Sequence, residues 1–491
     1  MLEELKKEAE MTLTENGAAA YSTSGSACTD FFGTAGALRN ASPDEITKRF
    51  ARAYAECPDM AMKALFYARN VRGGLGERRL FRIIINWLAK NEPQSLIKNI
   101  PNIPEYGRYD DLLENLCEEA WQYVKEQLSA DIKAAGEGKS PSLLAKWMPS
   151  INTSSAKTRA KALLMAKFLG MTAGDYRKTL SSLRRKIKII ENSLREKDYS
   201  FEYSAVPSKA MFKYRKAFIR NDKERYSGFM EKVRKGEEKI NVGTLYPYDI
   251  IAPLFAYHAK LSEEERLAMD TSWNALENFA GGRNSIAVID GSGSMYGYFQ
   301  PCPASVAISL GIYFAERNTG AFKNHFITFS ENPRLVEIKG RDIAEKARYC
   351  MGYNECSNTD ISKVFELILR TAAKNSLPQE ELPKDIYIIS DMEFDCCAEN
   401  AGLTNFEEAK KKFEAAGYEL PRIIFWNVCS RNEQQPVRSN EQDAALISGM
   451  SPRIFAMIKD GTLTPETFMR SILLSPRYAA ITAQQNEQHI K

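Results

Sequence analysis

The chain has 491 residues, more than one ordinary core holds and enough for two or three domains. Hydrophobic residues make up 44% and charged residues 26%, which excludes a disordered chain. No apolar run approaches the ~18 residues of a membrane span, and the formal net charge of +4 excludes a strongly acidic chain.

The start, MLEELKKEAEMTLTENG, is amphipathic and lacks the apolar core and cleavage site of a secretory signal. A polar Gly/Ser/Thr/Ala stretch follows, so residues 1–45 read as a flexible arm. Ser42-Pro43-Asp44-Glu45 is a helix start, with a capping hydroxyl, Pro at the first helical position and acids in the first turn. Apolar residues then recur at helical spacing, through Phe50, Ala53 and Tyr54 and, after Pro58, Ala61, Leu65 and Phe66. The turn RGGLGERR (72–79) opens a helix over 80–90. A Gly-rich turn before a helix can cradle a phosphate, but this one lacks the spacing and Lys-Ser/Thr of a P-loop. The favoured reading is a tight inter-helix turn with Glu77 and Arg78 in local ion pairs. Further helices are predicted near 108–118, 119–134, 141–148, 156–168, 172–195, 207–220, 222–235 and 246–259. Residues 46–280 therefore form an all-α, HEAT-like array of helical hairpins, a ring or solenoid with degenerate repeats.

Near residue 280 the pattern changes. Short apolar strands at 284–290, 324–330, 384–390, 421–428 and 444–449 alternate with helices at 303–317, 342–350, 360–374 and 405–417. Helices at 451–458 and 464–473 close the chain. Residues 281–491 read as an α/β doubly wound domain, its parallel sheet covered on both faces.

The first of these strands runs into Asp290-Gly291-Ser292-Gly293-Ser294. In a doubly wound sheet ligands bind beyond the carboxyl ends of strands, and this turn presents a carboxylate and two hydroxyls there. Thr359 in SNTDIS and Asp391 in IISDMEFD lie in later loops of the same kind. Hard oxygen donors suit Mg²⁺, or Mn²⁺ or Ca²⁺. The sequence of these loops resembles the metal-ion-dependent adhesion site of von Willebrand factor A domains. That resemblance implies direct binding of the ion by Ser292 and Ser294, and by Thr359 directly or through water. It places Asp290 and Asp391 close by, often through bridging water, and leaves one position open for a partner's Glu or Asp carboxylate. Asp360 is expected to cap the helix that follows, with Glu393 and Asp395 as surface or supporting acids. These loops hold no His, Lys or Cys placed as base or nucleophile, so no catalytic residue is assigned and no enzymatic activity is expected. Cys396-Cys397 read as buried thiols. With nine Cys, no paired CxxC pattern and three dispersed His, a zinc site has little to be made from, and reduced thiols point to a cytoplasmic location.

The charge is uneven. Residues 151–240 carry 23 Lys+Arg against 10 Asp+Glu, whereas 281–491 carry 23 against 26. A local cationic excess of that size points to an anionic partner, nucleic acid first. Two clusters stand out: Arg184, Arg185, Lys186 and Lys188, then Lys209, Lys213, Arg215 and Lys216 interleaved with Phe212, Tyr214 and Phe218. Cations track phosphates and aromatic rings can stack unpaired bases, although Phe212 and Phe218 at helical spacing read as core. Trp147 likewise reads as packing.

The segment FYARNVRGGLGERRLFR (66–82) resembles the TROVE module of Ro-type RNA-binding proteins. With IPEYGRYDDLL (103–113), KWMPSINTSS (146–155), LGMTAGDYRKTLSSLR (169–184) and GYELPRIIFWNV (417–428), the chain resembles an uncharacterised family joining a TROVE-like helical region to a von Willebrand A domain. The resemblance implies a non-catalytic protein that binds RNA, as single-stranded ends or structured small RNA, and docks an acidic residue of a protein partner at its metal site. A metal-dependent protein-interaction module on a helical scaffold without RNA is the alternative, and neither reading involves a membrane.

Overall fold

The computed structural model describes the chain except residues 1–9, 114–116, 188, 257–258, 283, 298, 331, 355–359, 396–403 and 485–491. The longer helices are numbered here in chain order. They are α1 Ala27–Thr34, α2 Pro43–Glu56, α3 Pro58–Arg69, α4 Arg78–Asn91, α5 Glu118–Gly136, α6 Ala156–Phe168, α7 Ala173–Lys186, α8 Ser208–Asn221, α9 Lys223–Arg234 and α10 Glu263–Asn274. The start of α2 is built as its residues dictate: the Ser42 hydroxyl accepts from the Glu45 amide, Pro43 stands in the first turn, and Asp44 and Glu45 face the positive end of the helix. No strand is found among the described residues between Tyr21 and Ser285.

Some predicted boundaries shift. The helix expected over 108–118 is a single turn, Tyr109–Leu112, before residues 114–116. That over 141–148 is Leu144–Trp147, and that over 172–195 breaks into α7 and Ile190–Glu196. The stretch 246–259 becomes Pro247–Ile251 and a 3-10 turn, Ala252–Phe255, because Pro253 supplies no amide to continue the α-helix. Helix α10 was not foreseen, although Ser262 and Glu265 form a capping box at its start.

The sheet beyond it has six strands, β3 Ser285–Asp290, β4 His325–Phe329, β5 Leu335–Glu337, β6 Asp385–Ser390, β7 Arg422–Asn427 and β8 Ala444–Ser448, in the order β5-β4-β3-β6-β7-β8. All neighbours are parallel except β5, a short antiparallel edge that the sequence reading missed. This is the doubly wound order, and it reverses direction between β3 and β6. Helix α11 Pro303–Arg317 is apolar nearly all round and buried along almost its whole length, as a helix covered on every side must be. Helices α12 Ile343–Met351, α13 Ile361–Asn375, α14 Asn405–Ala415 and α15 Pro465–Leu473 complete the layers, and 451–458 is a 3-10 segment, Pro452–Met457.

The reading of residues 1–45 as a flexible arm is corrected over its described part. Strands β1 Met11–Leu13 and β2 Ala19–Tyr21 form an antiparallel hairpin, and α1 packs on β8. The polar composition hides a set of small and aromatic residues, Ala18, Ala20, Tyr21, Phe31, Phe32 and Ala35, that are all buried. At Gly36 a Cβ would lie 2.6 Å from Gly449 Cα, so only glycine permits this approach of the N-terminal segment to the end of β8. The C-terminal segment crosses the other way. Tyr478 packs against Tyr67 and Tyr106, Asn99 donates to Thr482 O (2.7 Å), and Asp59 accepts from the Ala483 amide (2.7 Å). One hydrophobic cluster therefore runs from Cys28 through the helices to Ala483, and the division near residue 280 separates two kinds of structure but not two cores.

Candidate functional site

The hydrogen-bonded register of β3 with β6 sets Ile289 opposite Ile389. Asp290 and Asp391 therefore emerge side by side where the strand order reverses. Both carboxylates are buried. Asp290 Oδ1 accepts from the Ser292 amide (2.8 Å) and Oδ2 from the Ser390 hydroxyl (2.6 Å). The Ser292 and Ser294 hydroxyls face each other at 3.0 Å. Burial first, and the charge of Asp391 second, push the Asp290 carboxyl well above the usual carboxylate range. After Asp391 the chain turns at Met392, whose φ of 68° lies in the left-handed region that costs a non-glycine residue about 1–2 kcal/mol.

The structure places Asp290, Ser292, Ser294 and Asp391 at one end of the sheet. Thr359 lies outside the described residues, as do Cys396 and Cys397. Asp360 caps α13, accepting from the Lys363 amide (3.2 Å). Glu393 is not a surface acid: it is buried and accepts from the Glu15 amide (2.9 Å), Gln434 (2.8 Å) and Asn432 (3.0 Å). Among the described residues no group of three or more His, Cys, Asp or Glu side chains is placed to hold a metal, so any site here must draw on hydroxyls. Cys429 lies near Asp391, and burial pushes its thiol up to about 12.

Three contributors went unread in the sequence. Ser390 stands inside the IISDMEFD stretch but was passed over beside Asp391. Arg431, after β7, pairs with Asp391 Oδ2 at 3.0 Å and with Glu15 Oε2 at 2.7 Å. Glu15 lies at the tip of the β1–β2 hairpin, which the Thr14 hydroxyl and the Asn16 amide group fasten to Phe394 O (2.5 Å) and Glu393 O (2.7 Å). Only the fold reveals Arg431 and Glu15, because their partners are distant in sequence.

The basic candidates fare unevenly. Arg184 spends its guanidinium internally, donating to Ala145 O (2.8 Å), Met148 O (2.6 Å) and the Ser150 hydroxyl (2.7 Å). Arg215 is buried, donates to Phe212 O (2.7 Å) and lies over the Phe212 ring. Both belong to the framework and are removed from the set of ligand-facing cations, because their charges are already used inside. Lys186 reaches Ala135 O, while Lys209 pairs with Asp249 (3.1 Å) and Lys216 with Glu265 (3.1 Å). Arg185 and Lys213 are exposed, and Lys188 lies outside the described residues. Phe212 and Phe218 are core, and Trp147 stacks beneath Arg108 at 4.4 Å.

The RGGLGERR turn is internal as well. Gly74 sits against the backbone of α3, where a Cβ would meet Tyr67 O at 2.0 Å, and Glu77 is buried against Arg39 (2.7 Å). Arg78 lies 3.8 Å from Asp110.

A family described as a domain of unknown function (DUF7788) matches residues 284–482, and a second (DUF2828) matches 14–120 and 153–278. An uncharacterised protein of Acanthamoeba polyphaga mimivirus is 28% identical over 498 residues, covering 92% of this chain and 85% of its own. Among solved structures, the Ro protein (RSR) of Deinococcus radiodurans aligns over 91% of this chain and 93% of its own, at 13% identity and a TM-score of 0.40. No helix among the described residues is long and apolar enough to cross a membrane.

Proposed function

We propose that this chain is a non-catalytic docking protein whose α/β region, of von Willebrand factor A type, holds one divalent cation, Mg²⁺ by preference, and uses it to grip an acidic group of a partner. The observation that carries this reading is the donor set at the strand reversal: two buried carboxylates side by side with two hydroxyls 3.0 Å apart. Two oxygens bound cis on an octahedral Mg²⁺, each at about 2.1 Å, stand about 3.0 Å apart, so the hydroxyl pair already has the separation that such an ion requires. The raised carboxyl of Asp290 is a buried acid short of a countercharge, which a dication supplies. The residues fit the ion. Ser292 and Ser294 would bind it directly, Asp290 and Asp391 would neutralise it, and Ser390 fixes the orientation of Asp290. When bound, the ion offers an electrophilic position to an incoming carboxylate. The hydroxyl and carboxyl groups around it would act by binding and orienting.

Titration of the full chain with Mn²⁺, followed by electron paramagnetic resonance, tests this. One bound ion per chain is expected, lost in Asp290→Ala. Absence of binding, or unchanged binding in that variant, would contradict the reading.

A second element of the proposal is that the helical region, TROVE-like by resemblance and built on HEAT-like hairpins, binds RNA on a surface that includes Arg185, Lys186 and Lys213. The observation behind it is the surplus of 23 Lys+Arg over 10 Asp+Glu in 151–240, of which Arg185 and Lys213 stand exposed. Replacing Arg185, Lys186 and Lys213 together by Ala should weaken single-stranded RNA binding and lower its salt slope by about two to three. An unchanged slope would leave the metal-dependent docking module as the whole function.

A further inference from the structure

Resting on the metal reading of Asp290 and Asp391, we propose that Arg431 is a built-in counter-cation of that site, shared between Asp391 and Glu15, through which the N-terminal hairpin sets the affinity for divalent ions. Among the described residues Arg431 is the one cation paired with Asp391, on Oδ2 at 3.0 Å. A dication arriving at Asp391 meets that guanidinium on the same carboxylate, so it must share the oxygen or displace the arginine. Glu15, 2.7 Å from Arg431, gives the guanidinium a second anion to retire to. Serving two carboxylates leaves the arginine incompletely satisfied: its Nε is buried with no hydrogen-bond partner among the described residues.

The hairpin is registered to the metal loop and does not merely lie over it. Its Thr14 hydroxyl, Glu15 amide and Asn16 side chain bond to Phe394 O, the Glu393 carboxylate and Glu393 O, all within three residues of Asp391. Anything that shifts the hairpin moves Glu15 relative to Arg431, and so changes how strongly Arg431 competes for Asp391.

The arrangement makes two substitutions act in opposite directions. Arg431→Gln removes the competitor and should tighten Mn²⁺ binding by roughly fivefold, the worth of a partly exposed ion pair. Glu15→Gln confines the guanidinium to Asp391 and should weaken Mn²⁺ by roughly two- to threefold. Arg431→Lys, which keeps the charge, should stay near wild type, and the double variant should behave as Arg431→Gln alone. Isothermal titration of the full chain with Mn²⁺ reads all four. A pair with only a structural role would lower stability without moving the affinities apart. Equal affinities in wild type and Arg431→Gln overturn this inference and leave the metal reading standing. Absence of binding in wild type overturns the metal reading, and with it this inference. Should Arg431→Gln fail to fold, a wild-type affinity in Glu15→Gln still overturns the inference.

Discussion

Asp290 is a buried acid that costs the fold stability. Its carboxyl is buried beside that of Asp391, and its proton is held more tightly in the folded chain than in the unfolded one. The stability that goes with neutral Asp290 is therefore full below the unfolded value of about 4 and is lost as pH rises through the raised folded value. Without metal, the stability gap between Asp290→Asn and wild type should widen in favour of the variant over that window. At neutral pH the metal-free variant should melt about 1–3 °C higher, because it relieves the repulsion and keeps the acceptor for the Ser292 amide. Added Mg²⁺ should reverse the order, stabilising only wild type. A metal-free variant that melts lower would show that the acidic pair is not under strain. Asp290 was legible in the sequence because it ends an apolar strand, and Asp391 for the same reason. Ser390 was not, because a serine within a strand carries no signal until the neighbouring strand supplies the carboxylate it bonds.

The helices are joined by charge as well as by apolar packing. Asp111, fully buried, accepts from Arg69 (2.5 Å) and from Arg82 (2.8 Å), tying the turn Tyr109–Leu112 to α3 and α4. Gly107 makes room for this: a Cβ there would lie 2.6 Å from Asp111 Oδ2 and 2.9 Å from Arg69 Nε. The stretches 66–82 and 103–113, distinct in sequence, are thus two sides of one buried ion cluster. Removing one partner of such a pair leaves a charge stranded in the core, so Asp111→Ala should cost about 3–5 kcal/mol in urea unfolding, and Gly107→Ala should also be strongly destabilising. A loss below about 1 kcal/mol for Asp111→Ala would mean that the cluster is solvated. The helices and strands themselves were legible where apolar residues repeat with period, as in α2 and β6. The single-turn helices and β5 were not, being too short for any period to show.

Across the whole molecule, the two ends of the chain are exchanged. The N-terminal hairpin and α1 lie on the sheet, where Thr14 meets Phe394 some 380 residues away, and the C-terminal segment lies on the helices. None of this was legible, because composition reports only that a segment is polar, not that its few apolar residues have a distant surface to cover. A core shared in this way should unfold in one calorimetric transition, and separate pieces ending or starting near residue 280 should expose parts of it and aggregate. Two resolved transitions would contradict that. The exchange also brings Glu15 to Arg431 beside Asp391, so the architecture and the proposed docking site depend on one another. The most direct measurement is anomalous diffraction from crystals soaked in Mn²⁺. The account predicts a single strong peak about 2.0–2.3 Å from the hydroxyls of both Ser292 and Ser294 and adjacent to Asp290 and Asp391. No peak, or a peak only at other carboxylates, would contradict it.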